Sequence, residues 1–409
     1  MLDTHLASPI TRQRLRSGPV RDYIDGFADW LDHCGYEKLT IERLLGSLAG
    51  WNEWICATGY SGTEFRVGLA ACKVEFENRP KVRGYRGVTS RSLTAASIFI
   101  QYLQDFGVIP PAEVRLSPAD RWPIIGDFRS WMLNHRGLTI TTLDLYEFII
   151  AEVIQLLGDE PEAYTAGALR DFVLERAGRH GASRARSVVV AVRAFLQFLA
   201  ATGRCPPGMA HAIPGFAGWQ LSSIPRFLAN EDVERVIASC GEDHVGVRDR
   251  AVLLLLARLG LRAGEVAQLR FRDIDWGNGL ITVCGKGRRE ERLPLPQDVG
   301  SATLRYLQNH RPRWHADEVF ITVRAPFRSL SRWAVTCIVR RALARAGVKA
   351  PSNGAHVLRH SAATTMLRQG ASLAGIGAVL RHRSPRTTAH YAKVSFGLLS
   401  EIAQPWPEV

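Results

Sequence analysis

At 409 residues, with 46% hydrophobic and 22% charged residues, the chain is too long for one ordinary core and has a globular balance, so two or three domains are expected. Its formal net charge is +13, mostly arginine, the residue suited to bidentate phosphate contacts; beside a merely solubilising surface, this favours a polyanion partner, nucleic acid first. Seven widely spaced cysteines without a CxxC argue against a disulfide framework or zinc module. The start has no apolar signal core and the longest aliphatic run, 251–257, is too short for a bilayer, so a reducing cytoplasm and no membrane partner are expected.

The first half contains an internal repeat. Gly26-Phe27-Ala28-Asp29-Trp30-Leu31 is echoed by Asp127-Phe128-Arg129-Ser130-Trp131-Met132. Phe99-Ile100-Gln101-Tyr102-Leu103 is echoed by Phe195-Leu196-Gln197-Phe198-Leu199. Each copy then reaches a glycine, Gly107 or Gly203, followed by Pro110-Pro111 or Pro206-Pro207, a strong helix stop. Helical periodicity runs through 41–54 and 143–157. Two generic helical bundles would also look alike, but the matched Gln, Gly and Pro-Pro positions favour a duplication. Between 206 and 226, Pro207-Gly208, Pro214-Gly215 and Ser222-Ser223-Ile224-Pro225 break periodicity repeatedly. The expected domains are 1–115, 116–221 with the linker, and 222–409.

The last segment mixes types. Asn230 with Glu231 and Asp232 starts a helix, and 248–259 reads as a buried one. Leu280-Ile281-Thr282-Val283, the turn Gly285-Lys286-Gly287 and Arg292-Leu293-Pro294-Leu295 predict a hairpin on a small sheet. Helical patterns return over 298–308, 331–346, 357–369 and 373–380. The fold class expected is therefore mainly α with a small β-sheet: two helical bundles, then a mixed α/β domain.

Six residues in this segment point to chemistry. On a helix, His356, Arg359 and His360 share a face. Arg262, in Gly260-Leu261-Arg262, lies where one helix ends and another begins, with backbone N–H groups nearby. His382 precedes Tyr391 by nine residues. Two guanidiniums can neutralise the extra charge of a pentacoordinate phosphate, a histidine can move a proton, and a tyrosine can attack and leave a covalent intermediate. Positive neighbours are expected to lower the phenol's pKa. Taken singly, each is more often a solvated arginine, a satisfied histidine, a packed tyrosine or, for Lys286, an exposed turn lysine. A zinc pair at His356 and His360 is disfavoured, because the HExxH glutamate is absent.

The segment from about Asn230 to Val394 resembles the catalytic domain of the tyrosine recombinase (phage-type integrase) family. The matches are Leu261-Arg262-Ala263-Gly264-Glu265 with Leu269 and Asp273, Gly285-Lys286-Gly287, His356-Val357-Leu358-Arg359-His360, and Leu380-Arg381-His382 leading to Thr387-Thr388-Ala389-His390-Tyr391. The bundles resemble, less closely, the SAM-like helical DNA-binding domains that precede it. The resemblance implies that Tyr391 forms a 3′-phosphotyrosyl link, that Arg262 and Arg359 hold the non-bridging oxygens, and that Lys286 protonates the leaving 5′-oxygen. It implies acid–base assistance to the nucleophile from His356, a phosphate hydrogen bond from His382, a supporting role for Glu265, and no ATP or metal. Two departures stand out: Arg381 where the family usually has glycine, and Gly264 where it often has serine.

Arg381, Arg340, Arg341 and Arg193 are candidate DNA contacts; a solvated helix face is the competing reading. Arg332 and Arg345 belong to one such series, Arg184 and Arg186 to another. The apolar tail, Phe396, Leu398, Leu399, Ile402 and Trp406, either packs on its own domain or mediates assembly on DNA. The expected partners are double-stranded DNA, further copies of the chain as a tetramer, and possible companion recombinases, in a bacterial, nucleoid-associated setting. Integration or transposition of a mobile element is the leading function. The alternatives are a plasmid or chromosome dimer resolvase, a non-catalytic DNA-binding regulator, and a relaxase of type IB topoisomerase kind.

Overall fold

The computed structural model describes residues 2–78, 87–110, 117–179, 181–216, 224–285, 290–382 and 384–394. The chain forms two compact units, Met1–Ile109 with Leu221–Val409, and Pro110–Gln220. The first bundle thus counts with the last segment in one unit. Phe327 contributes to that association: its N–H donates to the Cys34 carbonyl at 3.3 Å.

The matched segments pack alike in the two bundles. In the first, helices Ile24–His33 and Ser90–Asp105 bring Phe27 to 5.1 Å from Phe99 and 5.5 Å from Tyr102, with Trp30 5.8 Å from Tyr102, between ring centres. In the second, Pro123–Arg136 and Ala182–Ala201 bring Phe128 to 5.3 Å from Phe195 and 5.7 Å from Phe198, with Trp131 5.9 Å from Phe198. The quartet recurs because aromatic residues one helical turn apart pair edge-on or tilted with a second pair on the facing helix. Lys38–Thr58 and Ile140–Leu157 complete the matched cores.

In the last segment the helix His244–Arg258 is buried nearly all round, and its residues 251–257 lie in the core. Asp243 caps it, accepting the Gly246 N–H at 2.8 Å. Each fully buried leucine contributes about 1.5–3 kcal/mol, so this helix anchors the segment. Helices Asn230–Ala238, Arg332–Arg345 and His356–Arg368 pack around it.

The hairpin forms, and a short third strand joins it. β1 (Ile274–Asp275), β2 (Leu280–Cys284) and β3 (Glu290–Pro294) make an antiparallel sheet in that order, with Thr282 opposite Arg292. Lys286, between β2 and β3 in the sequence, lies outside the described residues. The helix Gln297–Arg305 continues into a wider π winding at Tyr306–His310. Leu373–Val379, Pro385–Ala389 and the 3₁₀ segment His390–Val394 close the described chain. The tail from Phe396 to Trp406 lies outside the described residues. Among the described residues no helix is long and apolar enough to cross a membrane.

Candidate active site

The two arginines are seated on backbone carbonyls contributed by distant loops. Gly260 follows the central helix with φ +57°, and a Cβ there would lie 2.5 Å from Leu380 Cδ2, so the turn needs glycine. Arg262 then opens the short helix Ala263–Ala267. Glu265, in its first turn, reaches back to accept the Arg262 backbone N–H at 2.8 Å and the Arg262 Nη1 at 2.6 Å. Arg262 Nη2 donates to the Arg381 carbonyl at 3.4 Å. Arg359, 3% exposed on His356–Arg368, donates to the carbonyls of Gly260 and Leu380. Residues some hundred positions apart thereby share one frame.

Tyr391 belongs to that frame. Its ring is 2% exposed and packs in an apolar cluster with Ala363, Leu367, Ile376 and Leu380. Its hydroxyl lies 2.8 Å from His360 Nδ1, which accepts the phenolic proton when the imidazole carries its own on Nε2. His382 stacks on the Tyr391 ring, with centres 6.3 Å apart and planes 2° from parallel. Thr388 Oγ1, 2.8 Å from His382 Nδ1, orients that imidazole.

Burial sets the electrostatics. It draws His360 down to about 4, helped by His356, His390 and Arg359. It draws His382 down to about 4 as well, with Arg359 and Arg262 the main charges in the same sense. His356 is lowered by partial desolvation, then by Arg359 and Arg262. The imidazoles are therefore neutral at pH 7, each with one ring nitrogen able to accept a hydrogen bond. Burial, then Arg262 and Arg381, lower Arg359 to about 10, which leaves it charged at pH 7. Tyr391 moves opposite to expectation. Burial raises its pKa, and the lowering effect of Arg359 does not overcome it. The resting nucleophile is a phenol beside a neutral acceptor.

The structure thus gathers Arg262, Glu265, Arg359, His382 and Tyr391 into one cluster. Three expectations change. His356, expected beside the nucleophile, faces outward one turn away, its ring 5.6 Å from that of His360; the group on the hydroxyl is His360. The signal was present in the shared helix face, but only the packing of Tyr391 chooses between the two histidines. Arg381, expected to contact DNA, turns inward: it is 7% exposed, and Nη2 donates to Glu265 Oε2 at 2.8 Å. Arg193, also expected on DNA, is engaged within its own bundle, donating to the Ile213 carbonyl at 2.7 Å. Arg340 and Arg341 are exposed, and the Arg340 guanidinium lies 5.9 Å from the centre of the exposed Trp333 ring. Among the described residues, no three His, Cys, Asp or Glu side chains converge as metal ligands.

Comparison with known proteins agrees with this geometry. Residues 226–397 match the phage integrase family. The chain is also 36% identical over 397 residues to integrase/recombinase y4rA of Sinorhizobium fredii, covering 95% of each chain. The chain belongs to the phage integrase family. It is a site-specific DNA recombinase of the tyrosine type. Tyrosine recombinase XerD of Listeria innocua is 27% identical over 294 residues, covering 68% of this chain and 96% of XerD. Among solved structures, the XerH recombinase bound to its difH substrate shares the fold with a TM-score of 0.55 at 18% identity, covering 73% of this chain and 99% of that one.

Both departures from the tyrosine recombinase pattern have a physical reading. Arg381 has φ +57°, a conformation glycine adopts freely, so a glycine in that position suits the same turn. At Gly264 an added Cβ would meet only Arg332 Cδ, at 3.9 Å, so a small side chain such as serine fits there too.

Proposed function

We propose that Tyr391 attacks a scissile phosphate of duplex DNA, forming a Tyr Oη–P bond while the bond to the 5′-oxygen breaks. His360 takes the phenolic proton. Arg262 and Arg359 hold the non-bridging oxygens, His382 donates to one of them, and Lys286 protonates the leaving 5′-oxygen. His356 assists proton movement from the site's edge, and Glu265 seats Arg262. A 5′-hydroxyl from another strand then reverses the step, so the phosphotyrosine conserves the bond energy without ATP or metal. One observation carries this reading: the Tyr391 hydroxyl rests on a neutral histidine within a frame that also seats two guanidiniums, Arg359 buried and Arg262 partly exposed. A nicked suicide duplex carrying the DNA that flanks the gene tests it. The wild-type chain should form a covalent adduct, and Tyr391→Phe should form none while still binding the duplex. An adduct surviving that substitution would overturn the assignment.

The biological task in this proposal is movement of a mobile element, integration or transposition, at the bacterial nucleoid. The near full-length likeness to a protein named integrase/recombinase supports it. XerD leaves about a third of this chain without counterpart, which disfavours a dimer resolvase. The bundle 116–221 and the catalytic domain 222–409 grip the duplex backbone, with Arg340, Arg341 and Trp333 as contacts. The first bundle, 1–115, adds accessory DNA or protomer contacts. Four copies assemble on DNA, through the tail from Phe396 onward, alone or with companion recombinases. A chain truncated there should cleave poorly and fail to bring two duplexes together; unchanged synapsis would remove the tail from this account. Products joining two duplexes separate recombination from simple relaxation of supercoils.

A further inference from the structure

Arg381 is the sole non-glycine residue with positive φ among the described residues, at +57°. A side chain is rarely held there without compensation. Here the guanidinium is enclosed, with 2% of the side chain exposed, and donates to Glu265 Oε2 and to the Val379 carbonyl, each at 2.8 Å. Glu265 also binds Arg262, through Nη1 and through the backbone N–H. One buried carboxylate therefore stands between two arginines. The backbone of the same short stretch carries the carbonyls that receive Arg262 and Arg359.

The charges have a consequence. Arg262, Arg359 and Arg381 with Glu265 sum to +2 when the histidines are neutral. A phosphodiester carries −1 and its pentacoordinate transition state −2. Without Arg381 the cluster would fall to +1, and Glu265 would be offset by Arg262 alone. We propose that Arg381 is a positioning residue that answers the charge of Glu265, so that Arg262 is oriented by the carboxylate without being neutralised by it. Arg381 touches no DNA. It acts through Glu265 on the charge that Arg262 presents to phosphate. This rests on the reading that Arg262 and Arg359 grip the phosphate.

The experiment uses the full chain and the nicked duplex carrying the DNA that flanks the gene. Arg381→Gly keeps the backbone turn, since glycine accepts φ +57°. It should still fold, with a lower melting temperature because buried Glu265 loses a partner, and bind the duplex with similar affinity. Its single-turnover adduct rate should fall by about 100-fold, the scale seen on removing one preorganised transition-state charge partner. Arg381→Lys, which keeps a cation, should recover at least about tenfold of that loss. Adding Glu265→Gln to Arg381→Gly restores the +2 balance and should raise the rate above that of Arg381→Gly alone. A residue needed only for packing would show neither the lysine recovery nor this suppression. Arg381→Gly with wild-type rate, or a double variant no faster than the single, overturns the proposal. A wild-type chain that forms no adduct, or an adduct that survives Tyr391→Phe, defeats the underlying phosphate reading instead.

Discussion

Arg359→Lys separates two properties of the buried arginine, its fork and its permanent charge. The guanidinium donates to the Gly260 and Leu380 carbonyls from two different nitrogens. A single ammonium on a flexible stem cannot hold both. One charge-assisted hydrogen bond, worth about 1.5–3 kcal/mol, is lost, and one enclosed carbonyl is left poorly satisfied. If that bond positions the charge against phosphate, cleavage slows by about 10- to 100-fold even where the lysine is protonated. The second effect depends on pH. The surroundings that draw Arg359 down to about 10 act on lysine as well. A lysine in the same place would be lowered below its ordinary value of about 10.4, by the same burial and the same neighbouring guanidiniums. If the reaction needs a cation at that position, the lysine variant should lose activity as pH rises towards 9, through the lysine's lowered pKa. The wild-type chain should show no such fall between pH 7 and 9, since its arginine stays largely charged there and the histidines have already lost their protons. The assay is single-turnover adduct formation on the nicked duplex from pH 6.5 to 9. A variant with the wild-type rate would refute the fork argument. A slow variant whose pH profile matches the wild type would refute the charge argument.

Three further outcomes follow from the same geometry. Gly260→Ala places a Cβ 2.5 Å from Leu380 Cδ2 at φ +57°, so it should destabilise the chain by at least about 1–2 kcal/mol in urea titration and slow cleavage through Arg359; unchanged stability would contradict the close approach. His360 and His382 are held at about 4 when folded, against an ordinary value of about 6.5, so the unfolded chain binds more protons between those values. Their contribution to stability is full above about pH 6.5 and is lost as pH falls towards 4, which thermal melts at pH 7.5, 5.5 and 4.5 will show as a falling midpoint; a midpoint that rises on acidification would be inconsistent with neutral buried imidazoles. His360→Phe keeps a ring but removes the acceptor 2.8 Å from Tyr391, so adduct formation should fall by about 10²–10⁴-fold with duplex affinity unchanged, and a His356→Phe chain should be less affected.

Much of this architecture is legible in the residue order, for identifiable reasons. The helix beginning at Asn230, the buried helix over 248–259 and the hairpin at 280–294 carry strong apolar periodicity bounded by caps and turns. Two-residue β1 carries no such signal, because a pattern needs length to be seen. The π winding at Tyr306–His310 continues an apolar helix pattern, which does not distinguish it from α-helix. In the site, residue types were readable and orientations were not. His356 and His360 share a face, and nothing local says which of them meets a tyrosine 31 or more positions away. Arg381 looks like an exposed cation at a helix end until Glu265, 116 positions earlier, is placed against it. The phenol's pKa was judged from the cations around it, and burial, which only tertiary packing creates, has the larger effect.

That division explains why the site resists reading from its motif alone. Arg262 and Arg359 are held by main-chain carbonyls of Gly260, Leu380 and Arg381, and no side-chain pattern encodes a carbonyl's direction. Those directions depend on two left-handed residues, Gly260 and Arg381, each with φ +57°. Each is strained or close-packed, and each is compensated by the arginine it seats or by the carboxylate it binds. Stability and site geometry are therefore coupled here through the backbone: a substitution that relaxes either turn moves Arg262 and Arg359 together. Paired substitutions at Gly260 and Arg381 should for that reason be less than additive in their effect on cleavage, whereas either one combined with a change at the exposed Arg340 should add independently.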